Sequence, residues 1–323
     1  MPEVSKASVQ WLEVDELGEA QRIDNYLLKI LKGVPKSHIY RILRSGEVRV
    51  NSGRVDATYR LELGDKLRIP PIRVAEPAQK PTTKLPAGKA RLMDRVIYED
   101  EALLVINKPA GMAVHGGSGV SLGVIEQMRL ELPQQKFLEL AHRLDRETSG
   151  VLLLAKKRAA LVALHELMRP DSEASSNATR MNKRYLVLVA GVWKNKIQHV
   201  KLALQKNVTE DGERRVHVEE GGVAAHTIFR LKQHYGEYTL LEAELKTGRT
   251  HQIRVHLSHL GFPILGDDKY GDFDLNRQLI KQGLKRMFLH AWQVTLPHPV
   301  TSETLNLEAP LPIELEKYLN KIN

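Results

Sequence analysis

Apolar residues recur three and four apart at Ile23, Leu27, Ile30 and Leu31 and then stop at Gly33, which predicts a helix closed by a C′ glycine. A second helical stripe, Ile39, Ile42 and Leu43, follows Pro35, a residue suited to a first turn, and ends at Gly46. Past Gly46 the period changes to two in Glu47-Val48-Arg49-Val50. Asn51-Ser52-Gly53 can turn the chain, and Leu61 to Ile69 reads as two short strands about Gly64-Asp65. Residues 21–70 are therefore expected to place two helices before a small sheet, after an N-terminal extension of residues 1–20.

From Pro70 to Ala90 the apolar period vanishes and five prolines appear among Lys, Thr and Ala, so residues 71–92 read as a semi-extended linker. Beyond it, residues 93–323 mix strand-like runs with helix-like ones. Ala102 to Ile106, Val151 to Ala155, Tyr185 to Val189 and Tyr238 to Ala243 have strand character, while Ala159 to Met168 and Ile313 to Ile322 keep helical spacing. Strands cluster without a regular βαβ alternation, which favours a mixed α+β domain with largely antiparallel pairing. Arg169 to Asn182, rich in Ser, Asn and Asp, reads as a mobile surface insertion.

Composition narrows the classes. A chain of 323 residues exceeds the ~250–300 at which one core usually stops growing, so two domains are expected. Cys is absent, which removes disulfides, thiolate catalysis and Cys-ligated zinc or iron–sulfur centres. No apolar run approaches the ~20 residues that span a bilayer, and the start Met1-Pro2-Glu3 lacks the basic-then-apolar order of a signal peptide. A cytoplasmic location without membrane partners is the expectation. The net charge is +9, and residues 21–70 hold eleven Lys/Arg against five Asp/Glu, so +6 of it sits in fifty residues. Such a module suits a polyanion, although a solvated basic face has the same composition.

Three clusters carry candidate chemistry. His142-Arg143-Leu144-Asp145-Arg146-Glu147-Thr148-Ser149-Gly150 crowds the entrance of an apolar strand. If extended, it turns Arg143 and Asp145 to one side and His142 and Leu144 to the other. Its composition alone equally fits a turn whose carboxylate pairs with neighbouring arginines. In Lys246-Thr247-Gly248-Arg249-Thr250-His251-Gln252-Ile253-Arg254-Val255-His256-Leu257, Thr250 suits an N-cap, Ile253, Leu257 and Leu260 keep helical spacing, and Gly261 suits C′. Arg254 then lies near a helix N-terminus, where an anion is favoured, as it would be in a structural ion pair. His251, His256 and His259 do not share one helical face and have no acidic residue among them, so no metal site is expected there. The glycine-rich His115 to Gly123 matches neither a dinucleotide fingerprint nor a Walker loop. It suits a backbone approach to a sugar-phosphate as well as it suits a plain loop before a helix from Ser121.

Residues QRIDNYLLKILKGVPKSHIYRILRSGEVRVN resemble the S4 RNA-binding domain. HRLDRETSG, KRYLVLV and KTGRTHQIRVHL, in that order, resemble the aspartate, tyrosine and arginine motifs of the RluA-type pseudouridine synthases. The resemblance implies a mixed, largely antiparallel pseudouridine synthase domain preceded by a small S4-like α/β domain. The insertion before Lys183 is longer than expected for that family.

It further implies a cofactor-free isomerisation of uridines in large-subunit ribosomal RNA, for which a monomer suffices. By motif position Asp145 is catalytic, as nucleophile or as base. Arg254 pairs with it, and its fork fixes the carboxylate. Tyr185 stacks on a flipped uracil, Ile253 packs against the pocket and Arg143 fills the gap left in the RNA. Lys36, Arg41 and Arg44 of the S4-like domain are the expected phosphate contacts. Two other classes compete: a non-catalytic RNA-binding or ribosome-assembly factor on the same fold, and a glycosidase, which would need a second acid at a defined distance.

Overall fold

A computed structural model describes residues 8–15, 18–72, 88–116, 122–169, 181–208 and 214–323. The expected linker falls largely outside them, as do residues 170–180 of the Ser/Asn-rich segment and 117–121 of the glycine-rich one. The chain divides into two compact units, Met1–Lys84 and Leu85–Asn323.

The first unit runs β1 (Gln10–Glu13), α1 (Ile23–Ile30), α2 (Lys36–Arg44), β2 (Arg49–Val50) and β3 (Lys66–Ile69), with the antiparallel sheet order β1-β3-β2. The two helical stripes bury Ile23, Leu27, Ile39, Ile42 and Leu43 against Val50, Leu67 and Ile69 of the sheet. α1 ends at Ile30, before Gly33, and Pro35 is the residue ahead of α2. Two details depart from the sequence reading. Gln10–Glu13, within the presumed extension, pair with Lys66–Ile69 as an edge strand that buries more of Leu12 than of Trp11. Leu61–Leu63 form no strand, because the buried Asp65 carboxylate accepts from Glu62 N–H, Asn51 Nδ2 and the Tyr59 hydroxyl and organises that stretch as a turn.

The second unit follows a 3-10 turn at Met93–Arg95 with β4 (Val96–Glu99), β5 (Leu103–Lys108), α3 (Val124–Glu131), β6 (Glu139–Leu140), β7 (Ser149–Ala155) and α4 (Arg158–Met168). It continues with β8 (Asn182–Ala190), β9 (Ile197–Val208), β10 (Arg214–Val218), β11 (Val223–Tyr235), β12 (Tyr238–Leu245), α5 (Gln252–His259), α6 (Phe273–Gln282), β13 (Leu289–Pro297), β14 (Thr304–Glu308) and α7 (Ile313–Ile322). One sheet has the order β10-β9-β11-β12-β8-β13-β7-β5-β4, with β14 on β13 and β6 on β7. Its pairs are antiparallel except β13 with β7.

Strand alternation sorts the core into two faces. Leu104 and Ile106 of β5, Leu152 and Leu154 of β7, Tyr185 and Val187 of β8, and Leu241 and Ala243 of β12 pack on one side with α3 and α5. The alternate residues, Leu103, Val105, Val151 and Leu153, meet α4, and Leu188 and Leu240 meet α6 and α7 on the other. Helices on both faces of a mixed sheet give the expected α+β architecture. Among the described residues no helix is long and apolar enough to cross a membrane.

Candidate active site

The strand β7 is entered through residues 142–148, which lack regular structure but alternate as expected: Leu144 is buried in the core while Arg143 is exposed. Several buried groups fix this loop. His142 Nε2 accepts the Leu153 N–H at 3.1 Å. The fully buried ammonium of Lys108 donates to the carbonyls of Pro109, Met112 and Arg146 at 2.9, 2.8 and 3.1 Å. Burial pushes Lys108 down to about 7, against the pull of Glu147 and Asp145. Arg286 donates to Ser149 Oγ at 2.8 Å and to the Glu147 carbonyl at 3.4 Å. Asp145 thus sits on a backbone held at consecutive carbonyls by two cations, with its own carboxylate 20% exposed.

The facing element is α5. Its N-cap is His251, not Thr250, because the buried Gln252 gathers the preceding turn: Gln252 Oε1 accepts from Thr247 Oγ1 and Arg249 N–H, and its amide donates to the His226 carbonyl and Thr227 Oγ1. Gly261, in the left-handed region, follows the helix as expected. Three residues into α5, Arg254 is 5% exposed and directs Nη1 at Asp145 Oδ2, 3.8 Å away.

The expected fork between Arg254 and Asp145 is absent. Arg254 Nε and Nη2 donate instead to Asp267 Oδ2 and Oδ1 at 2.7 and 2.6 Å, and Nη2 reaches Asp268 at 3.3 Å. The reason is burial: Asp267 has no exposed surface, and an ionised carboxylate there requires strong donors. It also accepts the N–H groups of Lys269 and Tyr270. Burial alone would raise the Asp267 carboxyl, but Arg254 and these backbone donors hold it below the usual carboxylate range. The Tyr270 ring lies 5.1 Å from the Arg254 guanidinium carbon. Arg254 is therefore oriented by Asp267 and Tyr270 and offers its remaining nitrogen to Asp145.

Tyr185, on β8 between Ala243 of β12 and Ala291 of β13, lines the same cleft. Burial and then the Asp145 charge push its phenol well above the ordinary tyrosine range, so it stays protonated. The buried Ile253 and the exposed Arg143 complete the group of residues expected at the pocket. The cleft has a volume of about 350 Å³, and among the described residues its lining includes Arg143, Arg169, Lys183, Lys246, Arg249 and Arg254 against the single carboxylate of Asp145. That balance suits a polyanion carrying a base-sized group. Among the described residues no group of three or more His, Cys, Asp or Glu is placed to hold a metal.

Lys36, Arg41 and Arg44 are exposed on α2 of the first unit. Nothing in the sequence alone singles out Lys108, Lys183, Asp267 or Tyr270, and His251 stands out there only as a candidate metal ligand. The one local signal for Asp267 and Tyr270 was a polar run, Gly266 to Gly271, after an apolar one, which is also what any exposed turn looks like.

Residues 102–259 match the RNA pseudouridylate synthase family, and residues 21–67 match the S4 domain. Ribosomal large subunit pseudouridine synthase C of Haemophilus influenzae is 48% identical over 99% of this chain and 97% of its own. The protein of the same name from Escherichia coli is 48% identical over 99% and 98%. Among solved structures, human RNA pseudouridylate synthase domain containing 4 superposes with a TM-score of 0.56 at 29% identity, covering 72% of this chain and 94% of that one. With two such relatives matched nearly end to end, the chain belongs to the RNA pseudouridylate synthase family and carries an S4 domain in front of the synthase domain.

Proposed function

We propose that the protein converts specific uridines of large-subunit ribosomal RNA to pseudouridine, with Asp145 as the reacting carboxylate. The observation that carries this reading is the meeting of Asp145, Tyr185, Ile253 and Arg254 on one cation-lined cleft in a member of this family. The isomerisation breaks the bond from C1′ to N1, joins C1′ to C5, releases the C5 proton and protonates N1. Atoms and electrons balance without a redox partner or a hydrolytic water.

A uridine inside folded RNA hides its glycosidic bond, so the base has to leave the stack at a cost of about a few kcal/mol. Stacking on Tyr185 offsets part of this, since an aromatic partner is worth about 1–3 kcal/mol per base. Its phenol stays neutral, so it adds no charge that would repel the carboxylate. Arg143, exposed beside Asp145, enters the space the base vacates. Arg254 holds the carboxylate toward the sugar, and Ile253 closes the pocket wall. Lys36, Arg41 and Arg44 bind phosphates and set register without reading bases. One chain contributes every group, so a monomer working in the cytoplasm is sufficient.

The test is Asp145→Asn in the full chain. The variant folds and binds large-subunit ribosomal RNA but releases no tritium from C5-labelled uridines. Turnover by that variant would overturn the assignment of Asp145. RNA binding by the unaltered protein without any pseudouridine would leave it a ribosome-assembly factor, and free uracil would make it a glycosidase.

A further inference from the structure

His251 opens α5 with φ 53 and ψ 21, the left-handed region. A residue with a side chain rarely adopts this conformation, so its surroundings determine it. Its ring stands edge-on to Tyr270, with centroids 5.5 Å apart, and Nδ1 lies 2.9 Å from the Tyr270 hydroxyl. That hydroxyl accepts the Val216 N–H at 3.0 Å. With one acceptor site used in this way, its own proton is available for His251 Nδ1. Accepting it puts the imidazole proton on Nε2, which is the nitrogen that faces Asp145 Oδ2 at 3.8 Å. The other tautomer would aim a lone pair at the carboxylate.

Arg254 Nη1 approaches the same oxygen at the same distance. Both approaches are ion-pair contacts longer than a hydrogen bond, made to the one carboxylate oxygen. We propose that His251 is a positioning residue for Asp145: its Nε2–H, set by Tyr270, faces Oδ2 beside Arg254 Nη1 and with it fixes how the carboxylate is turned in the cleft. The inference rests on the proposed role of Asp145. Burial keeps the imidazole below its ordinary range, with Arg254 and Lys269 acting in the same direction and Asp145 and Asp267 against it, so the ring is a neutral donor at neutral pH.

The experiment measures single-turnover pseudouridine formation by the full chain on an unmodified, C5-tritiated large-subunit ribosomal RNA transcript. His251→Leu removes the donor, and His251→Gln places an amide N–H near the Nε2 position. Both carry the same left-handed backbone, so strain is common to the pair and the N–H is what differs. Expected are a rate about tenfold or more below wild type for Leu, recovery to within about threefold for Gln, and half-saturating enzyme concentrations within about twofold throughout. Tyr270→Phe, which frees the tautomer, is slowed about threefold or more and keeps the position of the ring. A wild-type rate for Leu, or a Gln variant as slow as Leu, overturns the inference. If neither His251 variant folds, a wild-type rate for Tyr270→Phe overturns it. Asp145→Asn runs alongside: turnover by that variant removes the role of Asp145 itself, whereas an inert Asn with a wild-type Leu removes only that of His251.

Discussion

The Arg254 guanidinium divides its nitrogens between two carboxylates of opposite character. Asp267 is fully buried and takes the fork, while Asp145 is part-exposed and receives one nitrogen at a longer distance. Asp267→Asn keeps the shape and removes the charge, which leaves Arg254 buried without its main counter-ion. Breaking such a pair costs about 3–5 kcal/mol, and urea unfolding of the variant should show a loss in that range. The sign of its pH dependence follows from the lowered carboxyl of Asp267. The stability it adds is present above the unfolded value of 3.8 and is lost as pH falls through the lower folded value. The gap between wild type and Asp267→Asn should therefore be constant near neutral pH and shrink below about pH 4. Asp145, Tyr185 and Arg254 were legible in the sequence because each lies inside a contiguous motif. Asp267 and Tyr270 were not, because their contacts with Arg254 are made across a turn 13 and 16 residues downstream, where nothing local separates a buried Asp from an exposed one.

At the scale of elements, the parallel contact between β7 and β13 is the junction that aims the Asp145 loop, and it depends on Gly150. The φ of Gly150 is +113, and a Cβ there would lie 2.1 Å from the Ala291 carbonyl oxygen. Ala291 also pairs with Tyr185, so displacing it disturbs Tyr185 and the Asp145 loop together. Gly150→Ala should lose about 2 kcal/mol or more in thermal or urea unfolding and lower turnover along with it. A variant as stable as wild type would show that this junction tolerates a side chain. Apolar strands such as β5, β7 and β8 were readable because both faces are covered and the runs are continuous. The long β9 and β11 were not, because Lys201, Gln205, Lys232 and Gln233 leave their patterns half polar. Only pairing with neighbours, Thr227 with Leu245 and Val200 for instance, defines them.

For the whole molecule, the distribution of charge separates two tasks. The cleft surrounds one carboxylate with cations, whereas the first unit presents Lys36, Arg41 and Arg44 on the exposed face of α2 and buries none of them. Cations on an open helix face contact phosphates through water-screened attraction and release counter-ions when they bind. Each phosphate contact contributes about 0.7–0.9 to the slope of log affinity against log salt. Replacing all three by Gln in the full chain should therefore reduce that slope by about 2–3 and weaken binding most at low salt. The loss should be the same for target and non-target RNA, because phosphate contacts carry no base information. Filter-binding titrations over a range of salt concentrations, with a large-subunit transcript and an unrelated RNA of equal length, measure both quantities. An unchanged slope would remove α2 from the RNA interface, and a loss confined to the target would mean that the first unit reads sequence or shape directly.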